Sequence, residues 1–559
     1  MGTYTIGIDF GTLSARAVVA DVHDGHVLAA HEFAYPHGVI SGHMPDGQKL
    51  PEGWALQDPA DYLLALKESV KGAVAESGVS KNEITGIGID FTASTTLPVT
   101  EDGTPLCFLP RFQHNRHAYV KLWKHHGAVR QTEHINRVCE KKKPAFLPYY
   151  GGKYDSEWPL PKLLELREEA PEVYNTMAAF PEAGDWVVWQ LTGNFTKCVS
   201  SAGVKEQYDL RTGSYPSEAF LGAIDIRLRD YYVTKLSPTP RPLGTKAGEL
   251  TSAMAEALGL STSVSVSVAN MDGHVSAPVV GMERPGQLMA VIGTSCGWFA
   301  LTKGEPAKKI PGICCAVEDS MWPGMVCYEA GQSCVGDIYK WLTDGFMPPE
   351  YHDKAAAQGM TLQQYLTDLA SRLHPGESGL LMLDWLNGNR SILSDARLSG
   401  MILGLTLQTK PEEVYRAALE ACAYGARMIV ENYVDHGIKA DSVIACGGIS
   451  RKNALAMQIY ADVLGLPIHI AGSEHGPAHG SALFAAVAAG CYPDVQSASA
   501  AMKQPFLKTY EPCESSRKIY DALFTQYKQL YQYFGQGGND VMKVLMDIRR
   551  GAGTEEAKP

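Results

Sequence analysis

No stretch of the 559-residue chain is an uninterrupted apolar run of transmembrane length, and its start has no basic region followed by an apolar core. Both absences lead to the expectation of a cytoplasmic protein with no membrane partner. Positive charge is not in excess: 49 Lys+Arg stand against 61 Asp+Glu, a formal −12 at pH 7. That balance excludes nucleic acid as the main partner, because phosphate-backbone binding needs a clustered positive surface. It leaves room for a small anion held by backbone amides. The 12 cysteines include no Cys-x-x-Cys pair, and the adjacent Cys314 and Cys315 are hard to bridge, so reduced, mostly buried thiols are expected. His114, His117, His125 and His126 crowd together without a carboxylate or cysteine at metal-site spacing, which argues against zinc.

What is present is an ordinary globular composition, 45% hydrophobic and 20% charged, in a chain long enough for two or more domains. Tyr4–Phe10, Ala15–Asp21 and Val27–Tyr35 read as strands, the last two joined at a His23–Gly25 turn. A helix is predicted from Asp58, a good N-cap, with Pro59 at its first position and Leu63, Leu66, Val70, Ala73 and Val74 on one face. Glu83–Phe91 is apolar almost throughout, as in a buried parallel strand.

A second half repeats this grammar. Gly286–Leu301 reads strand, Gly-hydroxyl turn, strand, and Pro411–Asp435 reads as a helix. Ser442–Ser450 is a strand running into a glycine pair. A helix from Lys452 to Leu464 then ends at Gly465, followed by a strand at Pro467–Ala471 and a helix at Pro477–Ala489. The expected fold class is α/β, a duplicated architecture with a cleft between the halves. The division is expected near residues 245–260, giving domains 1–252 and 253–549, with 550–559 a disordered polar tail.

Each half has a hairpin turn that could face an anion: Asp9–Thr12, with Gly11 and Thr12, and Ile292–Gly297, with Gly293, Thr294 and Ser295. Glycine lets backbone N–H groups approach a phosphate, and the hydroxyls add donors. Neither turn is a Walker loop, since no Gly-Lys-Ser/Thr follows. A lone Gly-Thr turn is commonly structural. Two at matched positions, with Gly447–Gly448 before a helix, favour a nucleotide gripped from both sides. Asp272, in "VANMDGHVSA", is either a turn residue before Gly273 or a functional carboxylate, and its place ahead of the second turn favours the latter. Asp9 stays open among catalyst, metal ligand and turn residue.

The stretches "GIDFGTLSARA" (7–17), "GIDFTAST" (88–95), "LWKHH" (122–126), "GGKYDSEWPLPK" (151–162), "MDGH" (271–274), "VIGTSCG" (291–297), "YEAGQSCVGDIYKW" (328–341), "LDWLNGNR" (383–390) and "CGGISRKN" (446–453) resemble the FGGY carbohydrate kinases. The resemblance runs from Thr5 to about Gly490, and "SEWPLPK", "EAGQSCVGDIYKW" and "DWLNGNR" favour the ribulokinase branch. It implies duplicated actin-like ATPase (ribonuclease H-like) domains around a cleft, with ATP and Mg²⁺ as cofactors and a small sugar as partner. It implies phosphoryl transfer to the terminal O5 of L-ribulose, with related ketopentoses and pentitols as further acceptors. Asp272 would be the catalytic base and would also sit near the metal. Asp9 would lie beside Mg²⁺. Gly11, Thr12, Gly293, Thr294 and Ser295 would border the phosphates, and Gly447, Gly448 and Asn453 the adenosine. Ala93, Trp123, Lys205, Asp272 and Glu329 would contact the sugar. A homodimer is a further implication, though no interface is readable in the chain. Cys446, where the family has a third glycine, and Ser481, where a small apolar residue is common, depart from its pattern.

Overall fold

The computed structural model describes residues 2–555. Strands β1 (Tyr4–Phe10), β2 (Ser14–Asp21) and β3 (Val27–Ala34) form an antiparallel meander. Helix α1 (Pro59–Ser77) begins where its cap chemistry predicts: Asp58 Oδ1 accepts the Ala60 N–H at 2.9 Å, and Gly78, at φ 66°, ends it. Strand β4 (Ile84–Phe91) then lies parallel to β1. After helix α2 (Pro159–Glu169), the strands β5 (Lys246–Glu249), β6 (Ser265–Ser267) and β7 (Asn270–Met271) complete a seven-stranded sheet, order β3-β2-β1-β4-β6-β5 with β7 paired to β4. This sheet therefore takes in strands beyond residue 252.

The second sheet repeats the first. Strands β8 (Gly286–Ile292) and β9 (Cys296–Lys303) form a hairpin, extended by β10 (Cys315–Glu318) and β11 (Met325–Gln332). Helix α3 (Pro411–Asp435) leads into β12 (Ala440–Cys446), parallel to β8 as β4 is to β1. Helix α4 (Ala454–Leu464), strand β13 (Ile468–Ile470), helix α5 (Gly476–Ala488) and strand β14 (Lys508–Tyr510) follow, for a sheet order of β10-β11-β9-β8-β12-β13-β14. The shared hairpin-plus-parallel-strand unit is the duplication the two Gly-hydroxyl turns announced.

The halves are tied together by α5, which belongs to the second half in sequence but packs on the first sheet. Ala478, Ala482, Leu483 and Phe484 join the core formed by Ile6, Ile8, Ile87 and Ile89. Glycines make room for it. A Cβ on Gly7 would fall 1.7 Å from the Ala478 carbonyl oxygen, and one on Gly88 would fall 1.9 Å from that of Ser481. Gly7→Ala is accordingly expected to force helix from sheet and to destabilise the protein by at least about 2–3 kcal/mol, at the upper end of overpacking costs. The check is a lowered urea midpoint with unchanged slope.

Two expectations need correction or comment. Residues 550–555 are not a disordered tail: helix α6 (Val541–Glu555) runs through them, and residues 556–559 lie outside those described. Its apolar positions Val541, Val544, Leu545 and Ile548 have helical spacing, which carries the helix into the polar stretch. All twelve cysteines are free, and all but Cys314, Cys491 and Cys513 are buried. Among the described residues, no helix is long and apolar enough to cross a membrane.

Candidate active site

The tetrapeptide Gly-Ile-Asp-Phe occurs twice, at Gly7–Phe10 and Gly88–Phe91, and the fold sets the two copies side by side. In the parallel β1–β4 ladder Gly7 faces Gly88, Ile8 faces Ile89, Asp9 faces Asp90 and Phe10 faces Phe91, the two rings stacking at 5.0 Å. Strand β7 adds the next row, with Asp90 opposite Asn270 and Phe91 opposite Met271. Asp272 follows immediately. Three carboxylates thus gather at the carboxyl ends of adjacent parallel strands, where open α/β sheets place their ligands.

The electrostatics show how close they are. Burial, then the charge of Asp9, pushes Asp272 up to about 6, against the Gly273 N–H that donates to its Oδ1 at 2.7 Å and against Lys205. Burial also raises Asp9, opposed by the neighbouring Asp90 carboxyl and by Arg16. Asp90 is fully buried and raised well above the carboxylate range by burial and by Asp9. Its Oδ2 accepts the Ser481 hydroxyl at 2.6 Å, while Oδ1 has no partner. That contact explains the departure at Ser481: the hydroxyl caps a buried carboxyl. The repeated tetrapeptide was the signal for Asp90, which the sequence reading did not single out.

Lys205 and Glu329 come to the same place. Lys205 lies in the last turn of the helix Val199–Glu206, and Glu329 projects from β11. Burial raises Glu329, but Lys205 and the His274 hydrogen bond outweigh it and hold its carboxyl at about 2. Burial lowers Lys205, and Glu329 above all reverses that, so its net direction is up. The His274 ring spans two acceptors, Ser320 O at 3.1 Å and Glu329 Oε2 at 3.2 Å. Ala93 packs on a cluster of Tyr150, Val204, Met271, Cys315 and Val317, which puts it beside the neighbours of Lys205 and Asp272. Trp123 donates its indole N–H to Thr12 Oγ1 at 3.0 Å and so joins the expected sugar wall to the first phosphate turn.

Both Gly-hydroxyl turns are closed by their glycine N–H. Gly11 N–H donates to Ser14 O at 3.0 Å, and Gly293 N–H donates to Ser295 O at 2.9 Å. Thr294 O accepts from Val335 N–H at 2.8 Å, and Gly293 O from Gly336 N–H at 3.0 Å. Gly447, at φ 89°, lies so close to the second turn that a Cβ would meet Ile292 O at 2.5 Å. Gly448 beside it is open. The Asn453 side chain is engaged within its own segment. Its Oδ1 caps α4 through Ala456 N–H at 2.9 Å and its Nδ2 donates to Tyr415 OH at 3.4 Å, so the side chain shapes the segment from below. A cavity of about 580 Å³ lined by Cys334, Asp337, Ile338, Trp341, Met382 and Met401 adjoins the second turn, Asp337 N–H donating to Thr294 O at 3.4 Å.

The crowded histidines are occupied by carboxylates. His125 contacts Glu165 at 2.9 Å, His117 contacts Glu169 at 3.5 Å, His126 contacts Glu157 at 3.6 Å, and His114 contacts Asp46 at 2.8 Å. Among the described residues no three His, Cys, Asp or Glu side chains are grouped to cage a metal. The hard oxygens of Asp9 and Asp272, with the unpartnered buried Asp90 Oδ1 behind them, still fit Mg²⁺, which is usually held by one or two carboxylates, water and substrate phosphates.

Comparison with known proteins agrees with this geometry. Residues 4–279 match the N-terminal domain of the FGGY family of carbohydrate kinases, and residues 288–489 match its C-terminal domain. A ribulokinase of Halalkalibacterium halodurans is 46% identical over 551 residues, 98% of this chain and 97% of its own. A ribulokinase of Mycolicibacterium smegmatis is 41% identical over 555 residues, 99% of this chain and 98% of its own. Among solved structures, a xylulose kinase from Rhodospirillum rubrum superposes with TM-score 0.78 at 23% identity, covering 94% of this chain and 98% of that one. A gluconate kinase from Lactobacillus acidophilus superposes at 0.80 and 18% identity, covering 96% and 99%. These last two speak for the fold alone, the actin-like ATPase fold of the sugar kinases. With both domains matched and full-length relatives well above 30% identity, the chain belongs to the FGGY family of carbohydrate kinases.

Proposed function

We propose that this protein is a cytoplasmic ribulokinase of arabinose breakdown, moving the γ-phosphoryl group of ATP to the terminal O5 hydroxyl of L-ribulose, with D-ribulose and pentitols as slower acceptors. The observation that carries the reading is the convergence of Asp272, Asp9, Lys205 and Glu329, in a chain 39–46% identical to proteins named ribulokinase. Phosphoryl transfer asks a protein mainly for alignment and charge neutralisation. Asp272 accepts the proton of the attacking hydroxyl late, as negative charge builds on that oxygen, and its raised pKa makes it a stronger base than an ordinary carboxylate. Glu329, held ionised, accepts hydrogen bonds from sugar hydroxyls, and Lys205 donates to them. Ala93 and Trp123 wall the sugar. Thr12, Thr294 and Ser295 offer donors to the phosphates, and Gly11 and Gly293, whose N–H groups close the turns, let the backbone come close to them, while Gly447 and Gly448 leave backbone open to the adenosine with Asn453 shaping the turn. Asp9 would hold Mg²⁺ through water with Asp272 nearby; bound there, the ion neutralises phosphate charge. Closure of the halves would exclude water from the γ-phosphate.

Phosphorus-coupled NMR of the product tests the regiochemistry: the phosphate is expected on C5, and phosphate on another carbon would refute the assignment. Asp9→Ala is expected to raise the Mg²⁺ concentration for half-maximal rate by roughly 10–100-fold, as for other groups that act on a metal through its water shell. A magnesium titration that leaves this value unmoved would remove Asp9 from the metal.

A further inference from the structure

Two buried charged side chains outside the reacting centre hold the backbone of both sugar walls. Lys162, fully buried on α2, donates from Nζ to Ser94 O at 2.6 Å, Leu122 O at 2.8 Å and Trp123 O at 3.5 Å. An ammonium has three donors, and these carbonyls take all three. Glu182, 4% exposed, accepts the Ser94 N–H on Oε1 at 3.2 Å and the Thr95 N–H on Oε2 at 3.1 Å. The two charges therefore grip one peptide unit, Glu182 on its N–H side and Lys162 on its carbonyl side. Ser94 needs the grip, because it is a non-glycine residue at φ 62°, in the left-handed region that side chains disfavour. The residue before it is Ala93.

An ammonium sunk in a protein without a carboxylate in direct contact is costly, and a methionine would fill similar volume without that cost. What the charge adds is direction. Burial lowers Lys162 and raises Glu182, and the charge of each works against the shift of the other. One turn further along α2, buried Glu165 pairs with Lys121 and His125 on either side of the Leu122–Lys124 loop, so the helix holds that loop at two places.

We propose that Lys162, working with Glu182, is a positioning residue for the acceptor: it ties the Ala93–Thr95 turn to the Leu122–Trp123 loop and so fixes the spacing of the two walls between which the sugar lies. This rests on the reading above that Ala93 and Trp123 face the sugar. It bears on sugar placement more than on nucleotide binding: neither residue touches the Gly293–Ser295 turn or the Gly447 segment, and the link to the first phosphate turn is indirect, through the Trp123 indole to Thr12.

The test is steady-state kinetics of the full chain with Lys162→Met and Glu182→Gln. Lys162→Met is expected to raise the KM for L-ribulose by roughly 10–100-fold, the scale of a misplacement near 1 Å, while the KM for ATP stays within about twofold. In thermal melts ATP should still stabilise the variant and L-ribulose should not. Glu182→Gln, which keeps shape but loses one acceptor, should shift the same way by less; if Lys162→Met does not fold, this variant decides. An unchanged sugar KM, or sugar and ATP parameters failing together, would overturn the proposal. Wild-type protein without L-ribulose-dependent ADP release would instead defeat the functional reading beneath it.

Discussion

Asp272→Asn is expected to lower kcat by about 10²–10⁴-fold, the usual worth of a general base, with little change in the KM for either substrate. Asparagine keeps the shape of the side chain and an oxygen for the Gly273 N–H, now at 2.7 Å. It also removes a charge that Asp9 and Glu329 oppose, so folding should not suffer. What disappears is the lone pair able to take the hydroxyl proton. Residual rate should come from alignment and from charge neutralisation around the phosphates, which the substitution leaves in place. Single-turnover mixing with saturating ATP and L-ribulose isolates the chemical step. A variant within tenfold of wild type there would move the base elsewhere.

The largest stability effect should follow Glu165→Gln. Glu165 and Lys121 are both fully buried, with Lys121 Nζ 2.6 Å from Glu165 Oε2, and His125 is their third member. Burial and Lys121 pull His125 down to about 3, so it is neutral near pH 7. Its Nδ1 accepts the Ala55 N–H at 3.4 Å, which leaves Nε2–H to donate to Glu165. Removing the carboxylate strands a buried ammonium, a change that typically costs about 3–5 kcal/mol. Glu169→Gln is the control: that carboxylate is 33% exposed and sits 3.5 Å from His117, so its loss should cost under about 1 kcal/mol. Urea unfolding followed by tryptophan fluorescence compares the two. The pH dependence has a definite sign. Burial would raise Glu165, but Lys121 and His125 hold it below its ordinary 4.5, so its contribution is full above about pH 4.5 and fades as pH falls toward the folded value. Equal costs for the two variants would mean that the buried pair contributes no more than a surface one.

The elements of this fold were legible where local chemistry is strong. Asp58 and Pro59 announced α1, the apolar runs flanking the Gly-hydroxyl turns gave β1 and β8, and α3 has the predicted bounds. Ends set by packing were shifted instead: β12 stops at Cys446, because Gly447 turns against Ile292, and the helix expected from Lys452 breaks at Asn453, whose side chain caps the next one. The crossing of α5 onto the first sheet could not be read, since Gly7 and Gly88 reveal a close neighbour but not which helix, some 390–470 positions on, will supply it. The site was half legible. Asp9 and Asp272 stand beside glycine turns, yet Lys205 and Glu329 look like ordinary charges until the helix before Gln207 and strand β11 bring them together; their roles came from family resemblance. Asp90, Lys162 and Glu182 are buried polar groups whose work lies in contacts with distant backbone, and such contacts leave no periodic trace.

The most direct measurement is the initial rate of ADP release with ATP and, in turn, L-ribulose, D-ribulose, ribitol, xylulose and glycerol. The expected result is sugar-dependent ADP release with kcat/KM highest for L-ribulose. Release that ignores the sugar, or a higher kcat/KM for xylulose or glycerol, would contradict it.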